Sequence, residues 1–298
     1  MKKFFLFLIL PLSLCAQELD DQIFQLQNNP PPFSPFSATG SYVDVNSTKF
    51  RTRGFREDTL KYRQWEAAFV YKHPITDACG LLFGSGWVGA EVNMENNPNF
   101  DETIFNYVNL SVGGFTTAFP DWTWTLTVAG FFDTDEFSFV DYALYQGVLW
   151  GRYDFCNCLE LDFGLIVEAG LNKDKVWPII GFVYYPSEKW QINAIYPVDI
   201  SFDYFFNQYL SASGSVRFLR SRHRVRDNEP LSQGIFEYRT TGLEFDLTLA
   251  PSLCFSIMGF VGSTVKGDFK VSDRNDKNAI HFKFNGSFYA GASAILNF

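Results

Sequence analysis

Acidic side chains recur at every second position in several segments that alternate between apolar and polar residues. In one segment, Glu160, Asp162 and Glu168 are interleaved with leucine, phenylalanine and valine. Residues two apart lie on the same face of a β-strand, so these carboxylates share a face. Carboxylates that line an enclosed interior focus a negative potential and concentrate cations there. The candidate interior residues are Glu66, Glu91, Glu160, Asp162, Glu168, Asp199, Asp203, Arg217, Glu244, Asp246 and Lys283.

The sequence offers no matching set of residues for catalysis. Of its three histidines, His73 precedes a proline, His223 lies among arginines and His281 begins the final alternating segment. No His-x-Ser or Asp-x-His arrangement sets a base beside a nucleophile. No histidine stands at metal-ligand spacing from Cys156 and Cys158, and no glycine-rich phosphate loop is present. We therefore predict no enzymatic activity, no cofactor and no metal site.

Composition narrows the class of protein. The 298 residues are 47% hydrophobic and 18% aromatic, with 34 phenylalanines, 14 tyrosines and 7 tryptophans. Disordered chains carry few aromatic residues, and a helical membrane protein needs apolar runs of about 18 residues or more, which this sequence lacks. The net charge of −9 argues against a nucleic-acid partner, because phosphates demand a basic surface.

The final segment shows the alternation over an unusual length. Even-numbered residues from Phe282 to Phe298 are apolar or small, and the odd-numbered residues are largely polar. A soluble β-sandwich also alternates, with its apolar face inward. Strands of this length, with carboxylates at mid-strand on the polar face, instead favour a barrel wall whose apolar face contacts lipid. The predicted fold class is all-β, a transmembrane antiparallel up-and-down β-barrel.

The connections sort by length. We count fourteen candidate strands between residues 38 and 298, and twelve if residues 189–206 form one bent pair at the rim. Short turns alternate with long, charged loops, as in bacterial outer-membrane barrels, whose short turns face the periplasm. An open sheet edge in lipid would leave backbone groups unpaired at several kcal/mol each, so the sheet must close.

The N-terminus predicts export. Residues 1–16 combine two lysines, a short apolar core and a small residue at the end, as in a secretory signal peptide. Modification of Cys15 as in a lipoprotein is the alternative, although Leu14 is large for that chemistry. Residues 17–37 read as a proline-rich periplasmic tail, and residues 38–298 as the barrel.

The C-terminus carries a family resemblance. The pattern resembles the C-terminal signal of outer-membrane β-barrel proteins, which ends in an aromatic residue and is read by the barrel-assembly machinery; its residues here are Ala290, Ala292, Ala294, Leu296 and Phe298. The chain is also similar to uncharacterised, porin-like outer-membrane barrel families and, in its phenylalanine-rich, cysteine-containing composition, to chlamydial-type envelope proteins. The resemblance implies a bacterial outer-membrane location and no particular substrate.

The predicted topology gives two further sets of residues a position. Arg220, Arg222, Arg224 and Arg226 continue the lipid-facing side of a strand on the outward side, where they could pair with lipopolysaccharide phosphates or form an ordinary solvated loop. Four cysteines lie at or near the periplasmic turns, which predicts disulfides within the chain or to envelope partners; they are Cys79, Cys156, Cys158 and Cys254.

The functional expectation is a porin-like channel for small solutes, with an acidic lumen that favours cations. The alternative is a non-conducting structural or surface-interaction barrel, whose interior charges pair and whose extracellular loops bind envelope or host partners. A soluble secreted β protein is a third possibility. The expected partners are outer-membrane lipid, lipopolysaccharide and the barrel-assembly machinery.

Overall fold

The computed structural model describes residues 34–298, and all of its regular elements are antiparallel β-strands. The predicted signal peptide and most of the predicted tail lie outside these residues. The strands are β1 Phe36–Lys49, β2 Thr59–Thr76, β3 Cys79–Met94, β4 Ile104–Thr116, β5 Trp122–Asp133, β6 Ala143–Cys156, β7 Leu159–Gly170, β8 Lys175–Ser187, β9 Trp190–Tyr196, β10 Asp199–Asn207, β11 Leu210–Arg224, β12 Ile235–Ser252, β13 Phe255–Ser272, β14 Ile280–Asn285 and β15 Phe288–Asn297.

The strands form one closed sheet. Each pairs with its neighbour in sequence, and β1 pairs with β15 to close the ring. Both β14 and β15 pair with β13, so they are two halves of one wall strand. The described chain is therefore a fourteen-stranded up-and-down barrel, which confirms the predicted fold. Twelve strands, the alternative, are not found, because β9 and β10 pair as separate members of the wall.

The two ends of the barrel differ in their connections. At one end, the turns span 2–5 residues, at 77–78, 117–121, 157–158, 188–189, 208–209 and 253–254. At the other end, most loops are longer, at 50–58, 95–103, 134–142, 171–174, 225–234 and 273–279, with a two-residue link at 197–198. We call these the short-turn end and the long-loop end.

The outer face is apolar. Leu110, Leu243 and Phe245 each expose more than half of their surface, whereas inward neighbours such as Thr240 and Asp246 are buried. Exposure of this apolar surface to water would destabilise the fold, whereas the acyl chains of a membrane are themselves apolar and solvate it. The outward position of these leucines and phenylalanines agrees with a barrel wall in lipid and excludes the sandwich, in which they would be internal.

The final wall strand reverses its faces at Gly286 and Ser287. On the short-turn side of this break, the odd-numbered Tyr289 points inward. On the long-loop side, the even-numbered Phe282 and Phe284 point inward. Gly286 fits here because a Cβ atom at this position would collide with the carbonyl oxygen of Thr264. The prediction of one unbroken apolar face from Phe282 to Phe298 was therefore wrong on the long-loop side of the break.

The long-loop halves of β11 and β12 lie inside the barrel. Strand β10 pairs with β11 only as far as Ser215, because β9 and β10 are short. Beyond that point β11 pairs with β12 alone, and every residue from Phe218 to Val225 is buried. One face of this inward hairpin packs against β4 through Tyr107, whose hydroxyl donates to the Arg222 carbonyl oxygen at 3.2 Å. The other face packs against β7 through Glu168.

Candidate functional site

A polar cavity of 340 Å³ occupies the half of the interior nearer the short-turn end. Strands β9 to β12 contribute most of its acidic and serine residues, and β1, β2, β13 and β15 complete its wall. The charged lining residues are five acids and one base: Glu66, Asp199, Asp203, Glu244, Asp246 and Arg217. We call this cavity the acidic chamber. It brings together six of the eleven predicted interior residues, drawn from four different strands.

One acid of the chamber is neutralised directly. Arg217 donates to Glu244 through two nitrogens, Nε to Oε2 at 2.5 Å and Nη2 to Oε1 at 2.6 Å, and its guanidinium lies over the ring of Phe260. This bidentate pair is the strong geometry for arginine and carboxylate. Four further carboxylates line the chamber, and Arg217 is its one basic lining residue.

Neutral donors hold two of those carboxylates. Asp203 accepts from Asn193 at 2.9 Å and from Ser201 at 3.3 Å. Asp246 accepts from Ser215 at 3.0 Å and follows Glu244 on the same face of β12. Hydrogen bonds from hydroxyl and amide groups orient these acidic side chains. The lining of the chamber is therefore predominantly acidic.

A second inward acidic group lies between β6 and β7 and is paired. Asp162 is completely buried and accepts from Trp150 Nε1 at 2.7 Å and Arg152 Nε at 3.1 Å. Glu160 accepts from Tyr185 at 3.1 Å and lies 3.4 Å from Arg152 Nη1. The alternative in which interior charges pair thus describes this part of the barrel.

The predicted lipopolysaccharide-facing arginines are internal instead. Arg220 contacts Glu168 at 3.1 Å and Glu237 at 2.8 Å, and Arg222 Nη2 donates to the Leu171 carbonyl oxygen at 2.6 Å. Arg224 is likewise buried and donates to backbone carbonyl oxygens, including that of Asp141. The prediction for these three residues was wrong because β11 leaves the wall between Ser215 and the long-loop end. The side of β11 that was expected to face lipid therefore faces the interior, where Arg220 contacts Glu168 of β7.

The fourth of these arginines ties loops together at the long-loop end. Arg226 lies 3.0 Å from Glu102 Oε1 and 2.6 Å from Asp135, which belong to two other loops. Burial raises the pKa of Glu102 to about 7, although the charge of Arg226 opposes this shift. The lipid-facing prediction for Arg226 was wrong as well, since its partners are neighbouring loops.

Two predicted interior residues face outward. Glu91 shares the outward side of β3 with Trp87 and bonds Arg63 at 2.8 Å, which in turn bonds Asp44 at 3.2 Å. Lys283 is exposed because the break at Gly286 reverses the faces of the last strand. Both interior assignments were wrong: an acid on the outer face is tolerated beside a guanidinium, and the break is invisible to a simple period of two.

An aromatic layer fills the interior between the acidic chamber and the long-loop end, and sequence reasoning missed it. The rings of Tyr62 and Tyr238 stack across the interior with centroids 3.8 Å apart. The His223 ring stacks on Tyr107 at 4.6 Å. The layer's other buried rings come from loops and strands of the long-loop half; they are Phe50, Phe100, Phe105, Phe236, Phe269, Phe282 and Phe284. One signal in the sequence could have indicated this layer: Phe236 and Tyr238 lie on the same face of the strand as Glu244 and Asp246, which were predicted to be interior.

The four cysteines lie at the short-turn end, as expected from the topology. All are free thiols, and Cys156 and Cys158 flank one turn with their Sγ atoms 2.6 Å apart. Disulfides remain a prediction for Cys79, Cys156, Cys158 and Cys254. The proposed assembly signal lies on β15, where Phe298 stacks on Phe36 beside the closing seam at 5.6 Å. Recognition of that segment by the assembly machinery also remains a prediction.

The chain resembles chlamydial proteins over most of its length. It is 35% identical over 285 residues to an uncharacterised protein of Chlamydia pneumoniae, covering 91% of this chain and 89% of the relative. An uncharacterised protein of Chlamydia trachomatis serovar D is 29% identical, with 90% and 89% coverage. The chain belongs to this chlamydial family. No protein-family model matches it.

Two solved structures resemble the fold of this chain. An outer-membrane channel of Pseudomonas putida F1 matches with a TM-score of 0.51 and 8% identity, over 91% of this chain and 98% of that one. A deltaS2 mutant of the TodX monoaromatic hydrocarbon channel matches with a TM-score of 0.50 and 10% identity, over 89% and 91%. This chain therefore has the fold of these outer-membrane β-barrels.

Among residues 34–298, no α-helix has the length and hydropathy needed to span a bilayer. Within the same residues, no three histidine, cysteine, aspartate or glutamate side chains converge as metal ligands.

Proposed function

We propose that this barrel is an outer-membrane channel for small polar solutes, and that its acidic chamber favours cations. The observation that carries the proposal is the composition of the chamber: five carboxylates and one guanidinium around 340 Å³. A lumen with charge of one sign raises the local concentration of counter-ions. The TodX likeness concerns the fold, and the polar lining favours a polar solute over an apolar one.

Passage requires the aromatic layer to open. The inward hairpin of β11 and β12 supplies Phe236 and Tyr238 to this layer, and its missing pairing with β10 leaves it joined to the wall on one side. We infer that movement of this hairpin admits solutes from the long-loop end. The predicted signal peptide at residues 1–16 and the C-terminal segment ending in Phe298 support export and insertion into the outer membrane.

Planar-bilayer recordings across a potassium chloride gradient test the proposal. The double variant Tyr62→Ala, Tyr238→Ala should raise conductance over the unchanged chain, because it removes the ring pair that spans the interior. In that background, the reversal potential should show cation preference. Neutralising Glu66, Asp199, Asp203 and Asp246 to their amides should abolish this preference, whereas Glu244 is kept as the partner of Arg217.

A matched control removes the same number of charges outside the chamber. It changes the exposed loop and turn acids Glu57, Asp77, Glu95 and Glu188 to their amides. Cation preference should survive in the control. Equal loss of preference in both variants would assign selectivity to the surface and not to the chamber.

A non-conducting structural barrel is the second candidate, favoured by one specific observation. The interior of the long-loop half is crosslinked by stacked rings and by the ion pairs of Arg220 with Glu168 and Glu237. If the opened variant folds and carries no ohmic current, this structural role replaces the channel.

A further inference from the structure

A basic patch lies on the outer face of the barrel near the long-loop end. Lys266 is on β13, Lys283 is on β14, and Lys49 and Arg51 stand at and just beyond the end of β1. All four residues are exposed. Because the whole chain carries a net charge of −9, this local excess of positive charge runs against its overall balance.

Backbone pairing brings the four bases together. Arg51 donates its N–H to the Lys283 carbonyl oxygen at 2.6 Å, which places β14 beside the chain that follows β1. Lys283 on β14 lies opposite Asp268 on β13 in the strand register, and Lys266 is two residues from Asp268 on the same face of β13. Lys49 is two residues from Arg51. With strands about 4.8 Å apart and same-face residues about 7 Å apart, the patch is on the order of 10 Å across.

Two irregularities put these lysines outside. A bulge at Val265 shifts the register between β12 and β13, and the break at Gly286 and Ser287 interrupts the facing strand. Together they reverse the faces of both strands, so Phe282 and Phe284 enter the aromatic layer while Lys266 and Lys283 turn outward. The two irregularities thus place aromatic rings inside the barrel and basic side chains on its outer face.

Nearby acids do not neutralise the patch. Asp268 lies 2.7 Å from His281 Nδ1, and Lys49 lies 3.4 Å from Glu57, whose side chain is 93% exposed. Lys266 and Lys283 form no ion pair with any residue between 34 and 298. Two acids therefore stand against four bases, and a doubly charged anion would balance the difference.

Apolar residues border the patch on the side of the membrane. Val265 and Phe288 expose 63% and 73% of their surfaces to the outside. A basic surface that continues into a lipid-facing apolar surface matches a lipid with a phosphorylated headgroup, because lysine and arginine form charge-assisted bonds with phosphate oxygens. We propose that Lys49, Arg51, Lys266 and Lys283 bind the phosphate groups of an outer-leaflet lipid whose acyl chains lie against Val265 and Phe288. This site is independent of solute passage.

Native mass spectrometry of the refolded full chain in neutral detergent tests the proposal. The probes are bisphosphorylated lipid A, its dephosphorylated form and inorganic phosphate. The quadruple change of Lys49, Arg51, Lys266 and Lys283 to glutamine should lower the affinity for lipid A by about tenfold or more, the loss expected from one charge-assisted contact. The matched control changes Arg56, Lys189, Arg274 and Lys277, four exposed loop and turn bases outside the patch, to glutamine.

The outcomes separate the sources of phosphate and the effect of folding. Heat-modifiable gel mobility reports folding of each variant, and the conservative variant Lys49→Arg, Lys266→Arg, Lys283→Arg should still bind lipid A. Equal retention of dephosphorylated lipid, or equal loss in patch and control variants, would overturn the site. Inorganic phosphate that binds as tightly as lipid A would overturn the assignment to a lipid.

Discussion

The two halves of the interior share strands β2, β11, β12 and β13, but one half is aromatic and the other is polar and acidic. Along the inner face of β12, Phe236 and Tyr238 belong to the aromatic layer, whereas Glu244 and Asp246 belong to the acidic chamber. The period of two is unchanged between them, and only the residue type switches. A barrel interior is therefore not one environment: packed rings close the half near the long loops, and a polar cavity remains in the half near the short turns.

The largest expected effect is on the packed half. Tyr238→Ala removes a fully buried ring stacked on Tyr62, and loss of a buried aromatic side chain costs about 3–5 kcal/mol. Urea titration of the protein in detergent, followed by tryptophan fluorescence, measures this change in the free energy of unfolding. The control Leu243→Ala truncates a lipid-facing side chain and should cost about 1 kcal/mol or less. Similar losses in the two variants would contradict a packed layer.

Removal of one buried carboxylate charge should lower the stability more in the packed half than in the acidic chamber. Glu237 is buried and lies within 4 Å of Arg220, Lys173, Lys175 and Arg239. Glu237→Gln leaves these cations without their shared partner, and breaking a buried ion pair costs about 3 kcal/mol or more.

The matched change in the chamber is Asp246→Asn; Asp246 accepts from the hydroxyl of Ser215 and hydrogen-bonds to the side chain of Glu244, and it has no ion-pair partner among residues 34–298. This change should alter stability by less than about 1 kcal/mol. A larger loss from Asp246→Asn than from Glu237→Gln, in the same urea titration, would reverse the comparison.

The smallest expected effect concerns the loop that covers the packed half. Burial raises the pKa of Glu102 from 4.5 to about 7. Because the folded state holds this proton more tightly than the unfolded state, stability should fall as the pH rises from 4.5 to 7, by up to about 3 kcal/mol.

Unfolding midpoints measured across this range should show that slope, and Glu102→Gln should remove it. Asp58→Asn, in an exposed loop hydrogen bond with Asn96, is the control and should leave the slope in place. A slope of opposite sign would show that the Arg226 charge outweighs the burial of Glu102.

The sequence was a good guide to the wall and a poor guide to what fills it. Strand β7, predicted at 159–170, is observed at Leu159–Gly170, because alternation is a local property of the residues. The inward position of Arg220 depends on the short strands β9 and β10, which end far from it in sequence. Lys283 faces outward because of a two-residue break between β14 and β15. Glu91 follows the regular alternation of β3, which places it on the outward side with Trp87, where Arg63 pairs with it. The positions of Arg220 and Lys283 thus depend on neighbouring strands and breaks that a period of two does not reveal.

The candidate site was partly predictable for the same reason. The six charged residues of the acidic chamber lie on regular parts of β2 and β10 to β12, where alternation holds, and all six were expected inside. The aromatic layer could have been anticipated from Phe236 and Tyr238 on the inner face of β12. Its stacking on Tyr62 from β2 could not, since the two strands lie far apart around the barrel.

Cysteine accessibility is the most direct measurement of the division between the two halves. In a background with Cys79, Cys156, Cys158 and Cys254 changed to serine, Ser213→Cys places one thiol in the chamber. A charged, membrane-impermeant maleimide should modify it from the short-turn side of oriented proteoliposomes and leave it unmodified from the long-loop side, where an exposed Ser47→Cys control reacts. Rapid modification of Ser213→Cys from the long-loop side would contradict an aromatic layer that closes the chamber.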